Sequence, residues 1–226
     1  MYELLAERLV AEISDRSLKP GDPLPTEREL QQMYGVGRSS VREALRILES
    51  RGLIRPSGRR VFLVADYGNA LSLSLQFLLA LEEGSLRDLF EVRKILEVEA
   101  AGLAAVRRST EDLARMARAV DEMIAGLTSQ ERYIAADLQF HVAVAAATSN
   151  RMALIMMHAI RDLLHRALAS IYHIPGSPQR SIAQHREIIE AIRAGLPEVA
   201  RQRMREHLVR VERDIQDILS KSAVTA

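Results

Sequence analysis

From residue 70 to residue 221 the chain places apolar residues three and four positions apart, with few glycines and no strand-like alternation. A stretch of that kind folds as amphipathic helices packed on one another, and it excludes a sheet as the main framework. Helix starts are marked by Ser85 three residues before Asp88, by Ser109 three before Asp112, and by Pro197 at a first helical position. The spacing predicts helices over 70–82, 85–107, 110–126, 129–148, 150–173, 179–194 and 197–220. Seven helices joined by short loops imply an all-α antiparallel bundle over 70–221, followed by a disordered tail at 222–226.

The first 64 residues read differently. A helix is predicted over 2–15, and LKPGDPLP at 18–25 interrupts it. Thr26 and Glu29 have capping-box spacing for a second helix that stops at Gly35. Gly35-Val36-Gly37 leaves room only for a tight corner before a third helix resumes near Ser39, with Val41, Leu45 and Leu48 on one face. Two β-prone runs, Leu53-Ile54 and Val61 to Val64, flank Arg55-Pro56-Ser57-Gly58-Arg59-Arg60 and predict a hairpin with a basic tip. The expected fold is therefore mainly α: an N-terminal winged helix-turn-helix with a small β-hairpin over 1–64, a linker at 65–69, and the bundle.

Charge sharpens this division. The whole chain of 226 residues carries 31 basic and 30 acidic side chains, a balance that advertises neither nucleic acid nor a membrane. Residues 38–60, however, hold seven arginines against Glu43 and Glu49. The absence of cysteine excludes thiolate metal sites, disulfides and cysteine nucleophiles. Apolar runs are too short to span a bilayer, and MYELLAERLVAEISD has no signal-peptide pattern, so a cytoplasmic protein is expected.

Arg38, Ser39, Ser40 and Arg42 fall on the first turn of the third helix, where long cationic donors and short hydroxyls suit a recognition helix in a DNA groove. Arg28 is placed for a phosphate, and Arg59 and Arg60 at the hairpin tip for a minor groove or backbone. An arginine-rich solvated helix is the plain alternative for any one of them. The glycine corner and basic hairpin together favour DNA.

The run LPTERELQQMYGVGRSSVREALRILESRGLI resembles the N-terminal signature of the GntR family of bacterial transcription regulators. The resemblance implies a homodimer on an imperfect palindrome of double-stranded operator DNA, contacted by Arg28, Arg38, Ser39, Ser40, Arg42 and Gly58. There are departures from the family pattern: Gly37 replaces a serine, and in the wing, usually Gly-x-Gly-Thr-Phe-Val, Gly58 is followed by Arg59-Arg60-Val61-Phe62-Leu63, so that the second glycine is lost.

Within the bundle, polar residues interrupt apolar stripes. Ile134, Asp137, His141, Val144 and Thr148 share one helix face; His185 lies among Ile182, Ile189 and Ile192; His207 lies among Met204, Val211 and Ile215. One such histidine is usually a hydrogen-bonded core residue. Three with a carboxylate, on three helices, suit a borderline divalent ion such as zinc, nickel or manganese. Arg93 interrupts a further stripe of Leu89, Phe90, Leu96 and Ala100, an expensive place for a guanidinium unless an anion meets it or Glu97 or Asp137 pairs with it.

LRDLFEVRKILEVEAAGLAA, DLQFHVAVAAATSN, QHREIIEAIRAG and MREHL are similar to the all-helical FCD ligand-binding domain of the FadR subfamily. That resemblance implies a metal held by Asp137, His141, His185 and His207, and a small carboxylate effector met by Arg93, with Asn150 either lining the pocket or capping a helix. The expected function is a DNA-binding transcriptional regulator, a repressor whose operator affinity follows a small organic acid bound at the metal, with no enzymatic activity. The rival is a metal-dependent hydrolase or isomerase fused to a DNA-binding module; a bundle serving only dimerisation is a third reading.

Overall fold

The computed structural model describes residues 2–16, 18–57, 61–65, 71, 72, 75 and 86–224. The chain divides into two compact units, Met1–Ser74 and Leu75–Ala226. In the first, α1 (Tyr2–Asp15), α2 (Glu27–Tyr34) and α3 (Arg38–Ser50) precede a hairpin of β1 (Ile54–Pro56) and β2 (Phe62–Val64). Thr26 and Glu29 form the reciprocal cap at the start of α2, with the Thr26 N–H donating to Glu29 Oε2 at 2.7 Å. Gly35 ends α2 at φ 63°, a left-handed conformation that costs glycine little. Gly37 then caps α3 without a side-chain bond, so the corner closes in three residues.

Ile54 pairs with Val64 and Pro56 with Phe62 across the hairpin. A detail absent from the sequence reading is a third edge: the Gly21 N–H donates to Val64 O, the Val64 N–H to Asp22 O, and the Leu24 N–H to Phe62 O. Pro23 lacks an N–H and is tolerated because, among the described residues, this edge has no further strand to donate to. Leu9, Leu30, Val41, Leu45, Leu48 and Ile54 are buried in the core of this unit. Ala65, read as the first linker residue, is also buried and donates its N–H to Leu53 O. The rest of the expected linker, the wing-tip residues Gly58, Arg59 and Arg60, and most of the helix expected over 70–82 lie outside the described residues.

In the second unit the described helices are α4 (Leu86–Arg107), α5 (Thr110–Ala125), α6 (Gln130–Ala147), α7 (Arg151–Tyr172), α8 (Ser177–Arg193) and α9 (Pro197–Val224). Ser109 and Asp112 cap α5 reciprocally. Gly176, at φ 78°, turns the chain into α8, and Pro178 occupies its first turn. Twelve of the eighteen residues of α6 are buried, as befits a helix whose small VAVAAA segment lets neighbours close in on every side. It packs on α4, α5 and α7. One boundary differs from expectation: α9 continues to Val224, through residues expected to be a disordered tail, because Ser220 to Val224 contains neither glycine nor proline to stop it.

Candidate functional site

The candidate recognition surface lies on α2 and α3. Arg38, Ser39 and Arg42 are exposed on the first turn of α3, Ser40 is half-buried, and Arg28 is exposed on the first turn of α2. Burial of Val41, Ala44, Leu45 and Leu48 on the opposite face of α3 fixes which side it offers to solvent. Glu27 lies beside both long cations, 3.4 Å from Arg38 Nε and 4.0 Å from Arg42 Nε. These contacts are half-exposed and therefore weak, which leaves both guanidiniums available to a stronger anion. Gly58 and Arg59, the remaining DNA-contacting candidates, lie outside the described residues.

The polar residues of the bundle converge. The ring nitrogens of His141, His185 and His207 come within 4.8 Å of one another, and all three residues are 1% exposed or less. Asp137, one turn before His141 on α6, lies 3.9 Å from His141 Nε2 and, through its other oxygen, 3.9 Å from His185 Nε2. His185 stacks on Phe140 with centroids 4.0 Å apart, which holds its ring in place.

The partners behind the rings decide which nitrogen carries the proton. His207 Nδ1 lies 3.2 Å from Gln184 Oε1, which already accepts from Arg210 Nε at 2.7 Å, so Nδ1 is the donor. His185 Nδ1 faces the Met123 sulfur at 3.2 Å. His141 Nδ1 is 2.5 Å from Glu97 Oε2, close but not aligned as a hydrogen bond. With the proton on Nδ1 of each neutral ring, every Nε2 would be left as a lone pair. Two of these, on His185 and His207, face each other at 3.2 Å, and the third, on His141, is buried with no hydrogen-bond partner. Facing lone pairs repel unless a proton or a Lewis acid lies between them.

Three imidazole nitrogens and one carboxylate form a donor set suited to zinc, nickel or manganese, so the residues present fit a divalent ion. Burial and the neighbouring cations push His185 and His207 well below the usual imidazole range, keeping both rings neutral and able to ligate. Burial raises the Asp137 carboxyl above its ordinary value, while His141 and Arg93 pull the other way.

Arg93 is 1% exposed and donates from Nε to Glu97 Oε1 at 2.6 Å, the pairing open to it from one helical turn away. Among the described residues its Nη1 has no hydrogen-bond partner. Burial works to raise the Glu97 carboxyl, but Arg93 and then His141 outweigh it and hold the group down at about 2. Arg93, Asp137 and His207 line a narrow cavity of about 20 Å³, walled on one side by Tyr133, Ser177 and Ser181. Arg210 organises that wall, donating to Ser181 Oγ at 2.6 Å and Asp214 Oδ2 at 2.8 Å.

Of the two expected effector residues, the structure brings Arg93 to the cavity and leaves Asn150 outside it. Asn150 is exposed, and its Oδ1 accepts from the N–H groups of Met152 and Ala153 at the start of α7. Short polar residues just ahead of a helix serve this purpose more often than any other. Arg210, Gln184, Ser181 and Met123 were not singled out from the sequence. Arg210 carried a signal, three residues after His207 on the same helix; Gln184 carried none, because it adjoins His185 in sequence while supporting His207 in space.

Residues 1–64 match the description "Bacterial regulatory proteins, gntR family", and residues 88–210 match the FCD domain. The chain belongs to the gntR family of bacterial regulatory proteins. Among its relatives in this family, the "Glc operon transcriptional activator" of Escherichia coli K12 is 31% identical over 226 residues, covering 96% of this chain and 89% of the relative. The "HTH-type transcriptional regulator LutR" of Bacillus subtilis 168 is 34% identical over 214 residues, covering 92% and 96%. Among solved structures, Streptococcus agalactiae GntR superposes with a TM-score of 0.72 at 25% identity, covering 94% of this chain and all of that one. A GntR domain followed by an FCD domain places the chain with the FadR-like regulators, and it is a transcriptional regulator rather than an enzyme. None of the described helices is long and apolar enough to cross a membrane.

Proposed function

We propose that this GntR-family regulator is a metabolite-controlled repressor: a cytoplasmic homodimer that holds an imperfect palindrome and senses a small carboxylate bound beside a divalent metal. The observation that carries the proposal is the buried cluster of three imidazoles, His141, His185 and His207, beside a cavity lined by Asp137, His207 and Arg93. Asp137, His141, His185 and His207 would hold the ion, which supplies a Lewis-acidic floor for an anionic guest. Arg93 Nη1 would meet the guest's carboxylate, and the hydroxyl wall of Tyr133, Ser177 and Ser181 would orient its remaining polar groups. At about 20 Å³ the cavity has room for roughly one water as it stands, so even a short acid would enter only with movement of its lining side chains.

Support for the DNA-reading half comes from the exposed Arg28, Arg38, Ser39 and Arg42, with the half-buried Ser40 beside them; Gly58 and Arg59 would join them from the wing. Support for a homodimer comes from Val92, Ile95 and Val106, three exposed apolar residues on one face of α4. A carboxylate that binds the two DNA-affinity states unequally by about 1–3 kcal/mol would switch the operator usefully. Hydrolase or isomerase chemistry is not favoured: the acids nearest the histidines in sequence, Glu187 and Glu206, are exposed and pair with Arg203 instead of facing the cavity.

The test is elemental analysis of the purified protein followed by thermal shift against a panel of short carboxylates. A stoichiometric divalent metal and a selective rise in melting temperature are expected. A metal-free protein whose melting ignores every acid would overturn the sensor reading. Activation is the second reading for the sign of control, favoured by the name of the Glc operon relative. Transcription from the target promoter with and without protein separates repression from activation.

A further inference from the structure

We propose that Glu97 is a positioning residue for His141, its carboxylate fixing the imidazole's tautomer and aim so that Nε2 is presented bare to the cluster. The proposal rests on the metal-site reading above and adds a residue outside the ligand set.

Glu97 is 3% exposed, and each of its oxygens lies against one neighbour. Oε1 accepts from Arg93 Nε at 2.6 Å, and Oε2 lies 2.5 Å from His141 Nδ1. Arg93 and Glu97 are one turn apart on α4, so the guanidinium anchors the carboxylate; His141 approaches from α6. A small rotation of the imidazole aligns Nδ1–H with Oε2. A neutral imidazole carries a single proton, and a carboxylate beside Nδ1 draws it there, leaving the lone pair on Nε2.

The three rings are backed unequally. His185 leans on the Met123 thioether and His207 on the neutral Gln184 amide, both weaker acceptors than an ionised carboxylate. Among the three, His141 has the strongest backing and is the ring whose Nε2 has no hydrogen-bond partner. A carboxylate behind a ligating imidazole fixes its orientation and raises its basicity, and losing such a partner weakens metal binding by about 10–100-fold. Arg93 thereby serves two ends, gripping Glu97 with Nε and lining the cavity.

Two measurements on the full-length protein test this. Long-range proton–nitrogen NMR of the metal-free wild type reports the histidine tautomers; His141 is expected with Nδ1 protonated and Nε2 bare. Cobalt(II) affinity is then measured by chelator competition for Glu97→Gln and for Arg93→Met/Glu97→Met, the second variant leaving no buried charge stranded if the first fails to fold. Both are expected to bind cobalt about 10–100-fold more weakly, with altered visible absorption bands and a mixed His141 tautomer. A wild-type His141 protonated on Nε2, or folded variants that bind cobalt as tightly as the wild type, would overturn the proposal. A wild type that binds no cobalt yet keeps His141 protonated on Nδ1 would defeat the metal reading while upholding the hold of Glu97 on the ring.

Discussion

Replacing Arg93 by methionine keeps most of the side-chain volume and removes the guanidinium. In the wild type the arginine and Glu97 are 1% and 3% exposed and joined at 2.6 Å, so the variant strands the Glu97 carboxylate in the core with only the edge of His141 beside it. Removing one partner of a buried ion pair costs about 3–5 kcal/mol, because the remaining charge keeps its desolvation penalty and loses its compensation. For a domain of this size each kcal/mol moves the melting temperature by about 2–4 °C, so the metal-free bundle should melt roughly 6–20 °C lower. Arg93→Met/Glu97→Met strands no charge and should recover at least half of that loss, since a buried pair and a well-packed apolar replacement are often close in stability. The assay is circular dichroism melting in the presence of a chelator. A single variant that melts like the wild type, or a double variant less stable than the single one, would refute the account of Arg93 as a charge held in place by Glu97. In a thermally stable background, loss of Nη1 should also weaken a bound carboxylate by about 1.5–3 kcal/mol, or roughly 10–150-fold, by calorimetry.

Arg42→Ala should weaken specific operator binding by about 1–3 kcal/mol while leaving the bundle's melting and its carboxylate response unchanged; equal affinity in a fluorescence anisotropy titration would mean that α3 is not the reading helix. Asp112→Asn should cost the bundle about 1 kcal/mol by loosening the cap of α5. Burial works to raise Asp112, but the Ser109 N–H and hydroxyl and then Arg115 overcome it and hold the carboxyl below its ordinary 3.8. Its contribution is therefore complete above that pH and fades as pH falls through the lower folded value, so the gap between wild type and variant should close in acid. Gly126→Ala should destabilise by about 1–3 kcal/mol, since a Cβ there would meet the Tyr133 backbone nitrogen at 2.9 Å. Gly102→Ala should cost less, because the atoms met at 2.6 Å belong to the movable end of Arg201; denaturant melts of the pair should show that order.

The helices and their inward faces were legible because period and burial coincide. Ile134, Asp137, His141, Val144 and Thr148 are all buried, and so are Ile182, His185, Ile189 and Ile192. Asp137 and the three histidines were legible as interruptions of those stripes. The residues behind them were harder to see: Met123, Gln184 and Arg210 come to the rings from other turns and helices, and no spacing within one helix announces a partner on another. The Gly21 to Leu24 edge was hidden for a different reason. Three prolines in six residues, Pro20, Pro23 and Pro25, read as a turn, whereas the intervening N–H groups of Gly21 and Leu24 take part in pairing. Glu97 was visible as a neighbour of Arg93 at the right spacing, but its second contact, to His141, depends on how α4 and α6 pack.

The most direct test of a metal-anchored carboxylate sensor acting on DNA is one equilibrium titration. The zinc-loaded protein is titrated onto a duplex that it selects from a random library, with and without the carboxylate that raises its melting temperature most. The account predicts an operator affinity that changes by about 5–150-fold on adding the acid, and that does not change for His141→Ala or Arg93→Met. An affinity that ignores the acid in the wild type, or that shifts equally in all three proteins, would contradict it.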